Sequence, residues 1–494
     1  MNSLTPYTPR PEQEAAIVEI LESKRHLCRA ATGAGKTLIG VEAVLRSKVK
    51  ITLVIAPINT FAGWRKTFER QSRGKVSPLV IDGTKAGKLA FERLAGRKSG
   101  VYLMSWERFR MYDWSAMPLG FVICDEVHRQ QNRNSSTHNA VKTTRHAEYA
   151  LALSATPWGN RIEGAWATLR WLWWGDDEVV GRNQGFWNWV SRHLTTELDQ
   201  YAGKKITGER TQGSVWASVP SKSYFPSPYQ EEPIVHLIEV ELTAYQRKIY
   251  DRFEEEAIVW LEENPLIAEG GGVQRMRLRE ICLAVPSIRD VWKKVPEAEL
   301  DDPESRWNRY EWEERENGTY ALVEEVYFKD DAKSTKADAI IDQLNDLYAA
   351  GPYPVIMFTH SRKFALMLTA RLKAKKFRAE HFVGGMTNEE RAYRMDGFGK
   401  DFDVMVSTIP SIGTGTDGLQ LVCWTEFWIS LDDNRVLNEQ ANGRIPRDGQ
   451  TKTVQRFIFM AKDTVELVQK GKLDADAAQL DGSFKPQRDM ADAA

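Results

Sequence analysis

Three groups of residues carry chemistry by type and spacing, and the first is Ala30-Ala31-Thr32-Gly33-Ala34-Gly35-Lys36-Thr37. Gly33 and Gly35 let the backbone curl so that several N–H groups point at one polyphosphate, and the helix opening at Thr37 adds its positive dipole end. Thr32, Gly33, Ala34 and Gly35 then form a phosphate cradle, Lys36 holds the β- and γ-phosphates, and the Thr37 hydroxyl ligates Mg²⁺. The second group follows the apolar run Phe121-Val122-Ile123-Cys124, which delivers Asp125-Glu126-Val127-His128. Two adjacent carboxylates at the end of a buried strand are costly unless a cation is near. Asp125 is placed to hold Mg²⁺ through water, and Glu126 to orient and deprotonate an attacking water. The third group is Arg444 and Arg447, three residues apart and able to aim into one crevice. Opposite a bound triphosphate they stabilise the transferring phosphate; without such a site they read as a surface pair.

Other candidates are weaker singly. Gln13 precedes an amphipathic helix and can read an adenine edge with its amide, although a solvent-facing glutamine at a helix start is equally ordinary. Ser154 and Thr156 end a strand with two hydroxyls that can sense the γ-phosphate, and His128 and Gln440 join them as coupling residues. Asn59 and Trp64, then Ser105, follow two further strands of the first half, where donors suit a phosphate backbone, though such residues are more often caps. Thr359, Ser407 and Thr408 hold comparable positions in the second half, beside the glycine-rich Gly413–Gly418.

The elements that must position these groups follow a strand-helix rhythm. Apolar runs at Ile51–Ala56, Val101–Met104, Phe121–Cys124 and Ala150–Leu153 alternate with helix-length stretches, the pattern of a parallel sheet covered on both faces. The rhythm restarts at Val355–Phe358, His381–Val383, Val404–Val406, Phe427–Ile429 and Phe457–Met460. The expected fold is α/β, two parallel-sheet domains in tandem. Residues 1–230 form the first, and 231–470 the second with a charged excursion at 291–335; a mobile tail covers 471–494. Between 175 and 230 the pattern loosens into Gly, Ser, Pro and charge, which reads as a surface connection. Trp158, Trp166, Trp171, Trp173, Trp174, Trp187 and Trp189 interleave with arginines and can stack bases, yet the helical spacing of Trp166, Leu169, Leu172 and Trp173 favours packing.

Bulk properties narrow the classes. The chain has 494 residues, enough for two or three domains, and Lys+Arg 67 against Asp+Glu 68 leaves a net charge of −1. No global basic field advertises nucleic acid, so any such surface is local. Four cysteines without C-x-x-C spacing argue against a disulfide framework or a zinc site. No run reaches the ~18–20 apolar residues that span a bilayer, so a soluble, cytoplasmic protein is expected, with no membrane partner.

In order along the chain, these residues resemble a superfamily 2 helicase of the Swi/Snf-type DEAD/DEAH-box class, in its compact bacterial or bacteriophage form. Gln13 matches the adenine-reading glutamine, Ala30–Thr37 the Walker A loop, Asp125–His128 the Walker B box, and Arg444 with Arg447 the paired arginines of the last motif. The narrower likeness rests on Pro57 with Trp64, on Thr156-Pro157 followed by Asn160-Arg161 and Glu163, and on Arg444–Gln450. Ala30 stands where the first loop glycine is usual, Ser154-Ala155-Thr156 replaces the usual Thr-Gly-Thr, and Ile409–Gly415 is longer than the usual linker. The resemblance implies two RecA-like domains, ATP and Mg²⁺ as cofactors, and movement along nucleic acid, double-stranded DNA above all. An RNA helicase and a nucleotide-gated clamp without motor activity are the alternatives.

Overall fold

A computed structural model describes residues 5–199, 203–227, 229, 231–261, 264–268, 271–300, 305, 307, 310–413, 416 and 418–484. The first domain contributes β1 (Arg25–Ala30), β2 (Ile51–Ile55), β3 (Leu79–Ile81), β4 (Gly100–Met104), β5 (Phe121–Asp125) and β6 (Tyr149–Ser154). A hairpin of β7 (Leu194–Asp199) and β8 (Gly203–Glu209) precedes β9 (Lys222–Phe225). Seven of these strands form one parallel sheet in the order β3-β4-β2-β5-β6-β1-β9. Strands β2, β5 and β6 are buried at every residue, which requires cover on both faces. Helices Pro11–Ser23, Lys36–Ser47 and Phe61–Gln71 supply it on one side through Ile17, Ile39, Trp64 and Phe68. On the other side Ala165–Leu172 packs through Trp166 and Leu169.

The second domain opens with β10 (Ile234–Val240), followed by the hairpin β11 (Ile258–Leu261) and β12 (Asn264–Ile267). Then come β13 (Ser287–Lys294), β14 (Glu311–Arg315) and β15 (Gly318–Tyr327), and β16 (Val355–Thr359), β17 (Ala379–Phe382), β18 (Val404–Thr408), β19 (Thr425–Trp428) and β20 (Gln455–Ala461). Six form a second parallel sheet, ordered β10-β20-β19-β16-β18-β17. Helices Thr335–Leu347 and Arg362–Ala374 cover one face with Ile340, Leu344, Phe364 and Leu368, while Ile412, Ala441 and Ile445 pack on the other. The architecture is thus two RecA-like parallel-sheet domains, joined between Phe225 and Ile234. No helix among the described residues is long and apolar enough to cross a membrane.

Three segments depart from the sequence reading. The charged excursion is a three-stranded antiparallel sheet, β13-β15-β14, over a small core of Val295, Trp307, Ala321 and Val323. Its outer face is so charged that alternation is hidden; Glu325 alone pairs with Arg289 and Lys293 across the strands. The stretch 175–230 is no mere connection, because β9 extends the first sheet and Trp189, Val215 and Trp216 enter its core. The expected tail is helical as far as Gly482, continuing a helix that begins at Val465. That helix starts on the second domain, where Glu466 meets Lys336 at 2.6 Å with both side chains buried. It ends on the first, where Phe484 stacks on Trp158 and Asp481 pairs with Arg29 at 3.3 Å. Such partners, over 300 residues away, leave no local signal; residues 485–494 lie outside the described ones.

Candidate nucleotide site

The phosphate loop leaves β1 at Ala30 and enters the helix Lys36–Ser47. Gly33 and Gly35 hold φ of +80° and +89°, a region that favours glycine, so the tight curl is built into the sequence. Lys36 Nζ turns back on the loop, donating to the carbonyl oxygens of Ala30 at 2.8 Å and Ala31 at 3.3 Å. Gln13 is buried against the same loop. Its Nε2 donates to Ala34 O at 3.0 Å while its Oε1 accepts from the Arg10 backbone at 2.9 Å. The amide expected to read a base therefore braces the loop here, and a side chain at Gly35 would lie 2.5 Å from its Nε2.

The carboxylates arrive from β5. Asp125 is buried, and Trp64 Nε1 donates to its Oδ2 at 3.0 Å while Trp106 Nε1 donates to its backbone oxygen at 2.8 Å. Burial first, and the neighbouring charge of Glu126 second, push the Asp125 carboxyl up to about 6 against the opposing pull of Lys36 and Trp64. That excess of negative charge on two adjacent carboxylates suits a hard divalent cation such as Mg²⁺. Glu126 takes the left-handed conformation, φ +56°, which turns its side chain off the strand line.

From Glu126 a polar chain runs through the candidate coupling residues. His128 Nδ1 lies 3.1 Å from Ser154 Oγ and 3.3 Å from Glu126 Oε2. Ser154 Oγ donates to Glu126 Oε2 at 3.3 Å and accepts from the Thr156 backbone N–H at 3.0 Å. Burial holds the His128 imidazole below its usual range, with the charge of Glu126 pulling the other way. These four residues are one hydrogen-bonded unit.

The second domain meets the loop through the end of its helix Arg435–Asn442 and the turn beyond. Thr32 Oγ1 donates to Gly443 O at 3.3 Å, and any side chain at 443 would collide with Thr32. Arg447 lies against the loop: a methyl group built on Gly33 would be 3.2 Å from its Cγ and Nε. Arg444 faces elsewhere. Its guanidinium donates to the backbone oxygens of Gly413 at 2.5 Å, Thr416 at 3.0 Å and Gln440 at 3.2 Å, all in its own domain. The pair read as one crevice-facing unit is thus split, because backbone carbonyls of its own domain compete for Arg444. Gln440 is buried beside Gly413. Thr414, Gly415 and Asp417 of the glycine-rich stretch lie outside the described residues. Between the domains a cleft of about 440 Å³ is lined by Thr32, Glu126 and Thr156 on one side and Gln440, Asn442 and Gly443 on the other.

The candidates for nucleic-acid contact divide sharply. Asn59 is exposed. Trp64 is fully buried on Asp125, a role the sequence did not suggest, and Trp106, which the sequence marks only by its place after a strand, holds the Asp125 backbone oxygen. Ser105 caps the helix Trp106–Phe109 by accepting from the Arg108 N–H at 3.3 Å. Thr359 is buried with its Oγ1 2.9 Å from Ser430 Oγ, Ser407 Oγ donates to Phe382 O at 3.1 Å, and Thr408 Oγ1 lies 2.7 Å from Ser411 Oγ. The hydroxyls of these four strand-end residues all have protein hydrogen-bond partners.

Residues 26–284, just over half the chain, match the SNF2-related domain. An uncharacterized ATP-dependent helicase of Mycoplasma genitalium is 24% identical over 451 residues, 88% of this chain and 38% of its own length. A RAD54-like DNA repair and recombination protein of Gallus gallus is 21% identical over 460 residues, 87% of this chain and 59% of its own. The chain thus spans less than two thirds of these relatives. The SWI2/SNF2 ATPase core of Sulfolobus solfataricus, solved with double-stranded DNA, aligns over 98% of this chain and 96% of its own at 15% identity, with a TM-score of 0.41. On the match of residues 26–284, the chain belongs to the SNF2-related domain family.

Proposed function

We propose that the chain is an ATP-driven motor that moves along nucleic acid, with duplex DNA as its track. The observation that carries this reading is the convergence on one loop of Lys36, Asp125 and Glu126 from the first domain and Arg447 from the second. Such a site completes itself only when the two domains are together, which is what couples hydrolysis to domain movement. Mg²⁺-ATP supplies the phosphoanhydride bond and the cation charge. Thr37 and Asp125 hold the cation, Lys36 exchanges its two loop carbonyls for phosphate oxygens, and Glu126 orients a water and takes its proton. Arg447 adds positive charge from the facing domain. The Glu126–His128–Ser154–Thr156 unit ties the hydrolytic carboxylate to the segment that follows β6. Loss of the γ-phosphate removes the charge holding Lys36 and Arg447 on one ligand, and the domains part.

The relatives' names, an ATP-dependent helicase and a DNA repair and recombination protein, support DNA as the track. The test is steady-state ATPase at low salt, alone and with duplex DNA, single-stranded DNA or RNA, with Glu126→Gln as the blank. Strong stimulation by duplex DNA is expected, followed by displacement of a triplex-forming strand. Stimulation by RNA alone would replace the track, and hydrolysis indifferent to all three would leave a clamp.

A further inference from the structure

A second basic site lies outside the nucleotide cleft, on the flank of the first domain. Arg133, Lys142 and Arg170, with Asn134 and Asn139, line a cavity of about 420 Å³ whose floor is Trp166 and Phe186. Its walls are cations and amides, with no carboxylate. Among the described residues no acid lies within ion-pair distance of Arg133, Lys142 or Arg170, and Arg145 nearby donates only to the backbone oxygen of Arg170, at 2.9 Å. The cations are half-buried, and the Arg170 Nε is enclosed without a hydrogen-bond partner.

Two of the guanidiniums rest on aromatic faces, Arg133 3.7 Å above Phe186 and Arg170 4.9 Å from the Trp166 ring centre. Stacking fixes the plane and leaves the N–H edges free, the arrangement that receives phosphate oxygens. Their field is felt nearby: burial first, then the charges of Lys142, Arg170 and Arg145, push His138 down to about 3. Converging like charges with no counter-charge destabilise a fold unless an anion neutralises them. Arg133 and Phe186 are also a wall of the larger interdomain cavity, about 760 Å³, where Arg161, Lys204, Lys205, Arg275 and Lys472 continue the line of positive charge and outnumber Glu163, Asp433 and Asp476. A free phosphate would use one end of that line; a chain of phosphates uses its length.

We propose that the Arg133–Lys142–Arg170 pocket binds a backbone phosphate of nucleic acid, a contact on the flank of the first domain beyond the interdomain cleft. This rests on the nucleic-acid reading above. The test uses the full chain and a fluorescent duplex, with affinity followed by anisotropy across a salt series. For R133Q/R170Q the expected result is roughly tenfold weaker binding and a log K against log salt slope shallower by about 2, with ATPase in the absence of nucleic acid unchanged. Parental binding with the same slope and affinity in the variant overturns the pocket alone; a parent that binds neither duplex, single strand nor RNA overturns the motor reading and the pocket together. A measurement on the parent guards against a variant that fails to fold. Phenylglyoxal labelling of Arg133 and Arg170, mapped by mass spectrometry, should be suppressed by duplex DNA and not by inorganic phosphate. Equal labelling with and without duplex, or equal protection by inorganic phosphate, refutes the proposal.

Discussion

The carboxyl ends of the two parallel sheets carry similar residue types and end in opposite states. In the first domain, β5 and β6 deliver Asp125, Glu126, His128, Ser154 and Thr156 into a connected polar chain with a carboxylate pushed up to about 6. In the second, β16 and β18 deliver Thr359, Ser407 and Thr408, each closed by a protein partner. The first set holds charge in excess of its partners; the second has spent its hydrogen bonds. Unpaired polarity marks where a ligand is expected, and satisfied polarity marks structure. The second domain's contribution to the first set is not a strand end at all but the turn after the helix Arg435–Asn442, which carries Gly443 and Arg447 onto the loop.

The sharpest way to break this contrast is to separate the two arginines. Arg447→Ala should lower kcat for ATP roughly 10³-fold with little change in KM, the loss expected of an arginine acting on transferring phosphate. Arg444→Ala should instead cost stability, about 1–3 kcal/mol for carbonyls left without their donor, read by thermal unfolding. Equal losses of kcat in both would show that the arrangement of Arg444 seen here is not the working one.

Asp125 gives a test of the excess charge. An unfolded aspartate ionises near ~3.9; the folded group, raised to about 6, holds its proton longer. The stability this lends is full below about pH 4 and is lost as pH rises through about 6. Asp125→Asn removes the dependence, so the nucleotide-free variant should melt about 2–4 °C above the parent near pH 7.5 and level with it near pH 4, while its ATPase is lost. A variant that melts lower at neutral pH would mean that Trp64 and Lys36 already compensate the charge.

How much of this could be read beforehand depends on range. The loop at Ala30–Thr37 and the Asp125-Glu126 pair were legible because their chemistry needs contiguous residues, and the strands because burial on both faces writes itself as apolar runs. Trp64 on Asp125 joins residues 61 apart in sequence, and Phe484 on Trp158 joins residues more than 300 apart. No local pattern encodes such pairs. Arg444 and Arg447 show a finer limit: spacing places two side chains near one another, but the carbonyls that compete for one of them belong to a distant loop.

The remaining predictions probe the satisfied end of the contrast and are smaller. Thr359→Val removes the partner of Ser430 and of the Ser361 N–H, and should cost about 1–3 kcal/mol in urea unfolding with nucleic-acid affinity unchanged. A selective loss of affinity at full stability would return Thr359 to the binding surface. Asn59 is the counterpart, exposed on the turn after β2. Asn59→Ala should leave stability alone and weaken nucleic-acid binding by about 2- to 5-fold, the worth of one solvent-accessible hydrogen bond. If instead Asn59→Ala is silent and Thr359→Val is not, burial has misled the assignment, and the second sheet must open its strand ends to the track during the cycle.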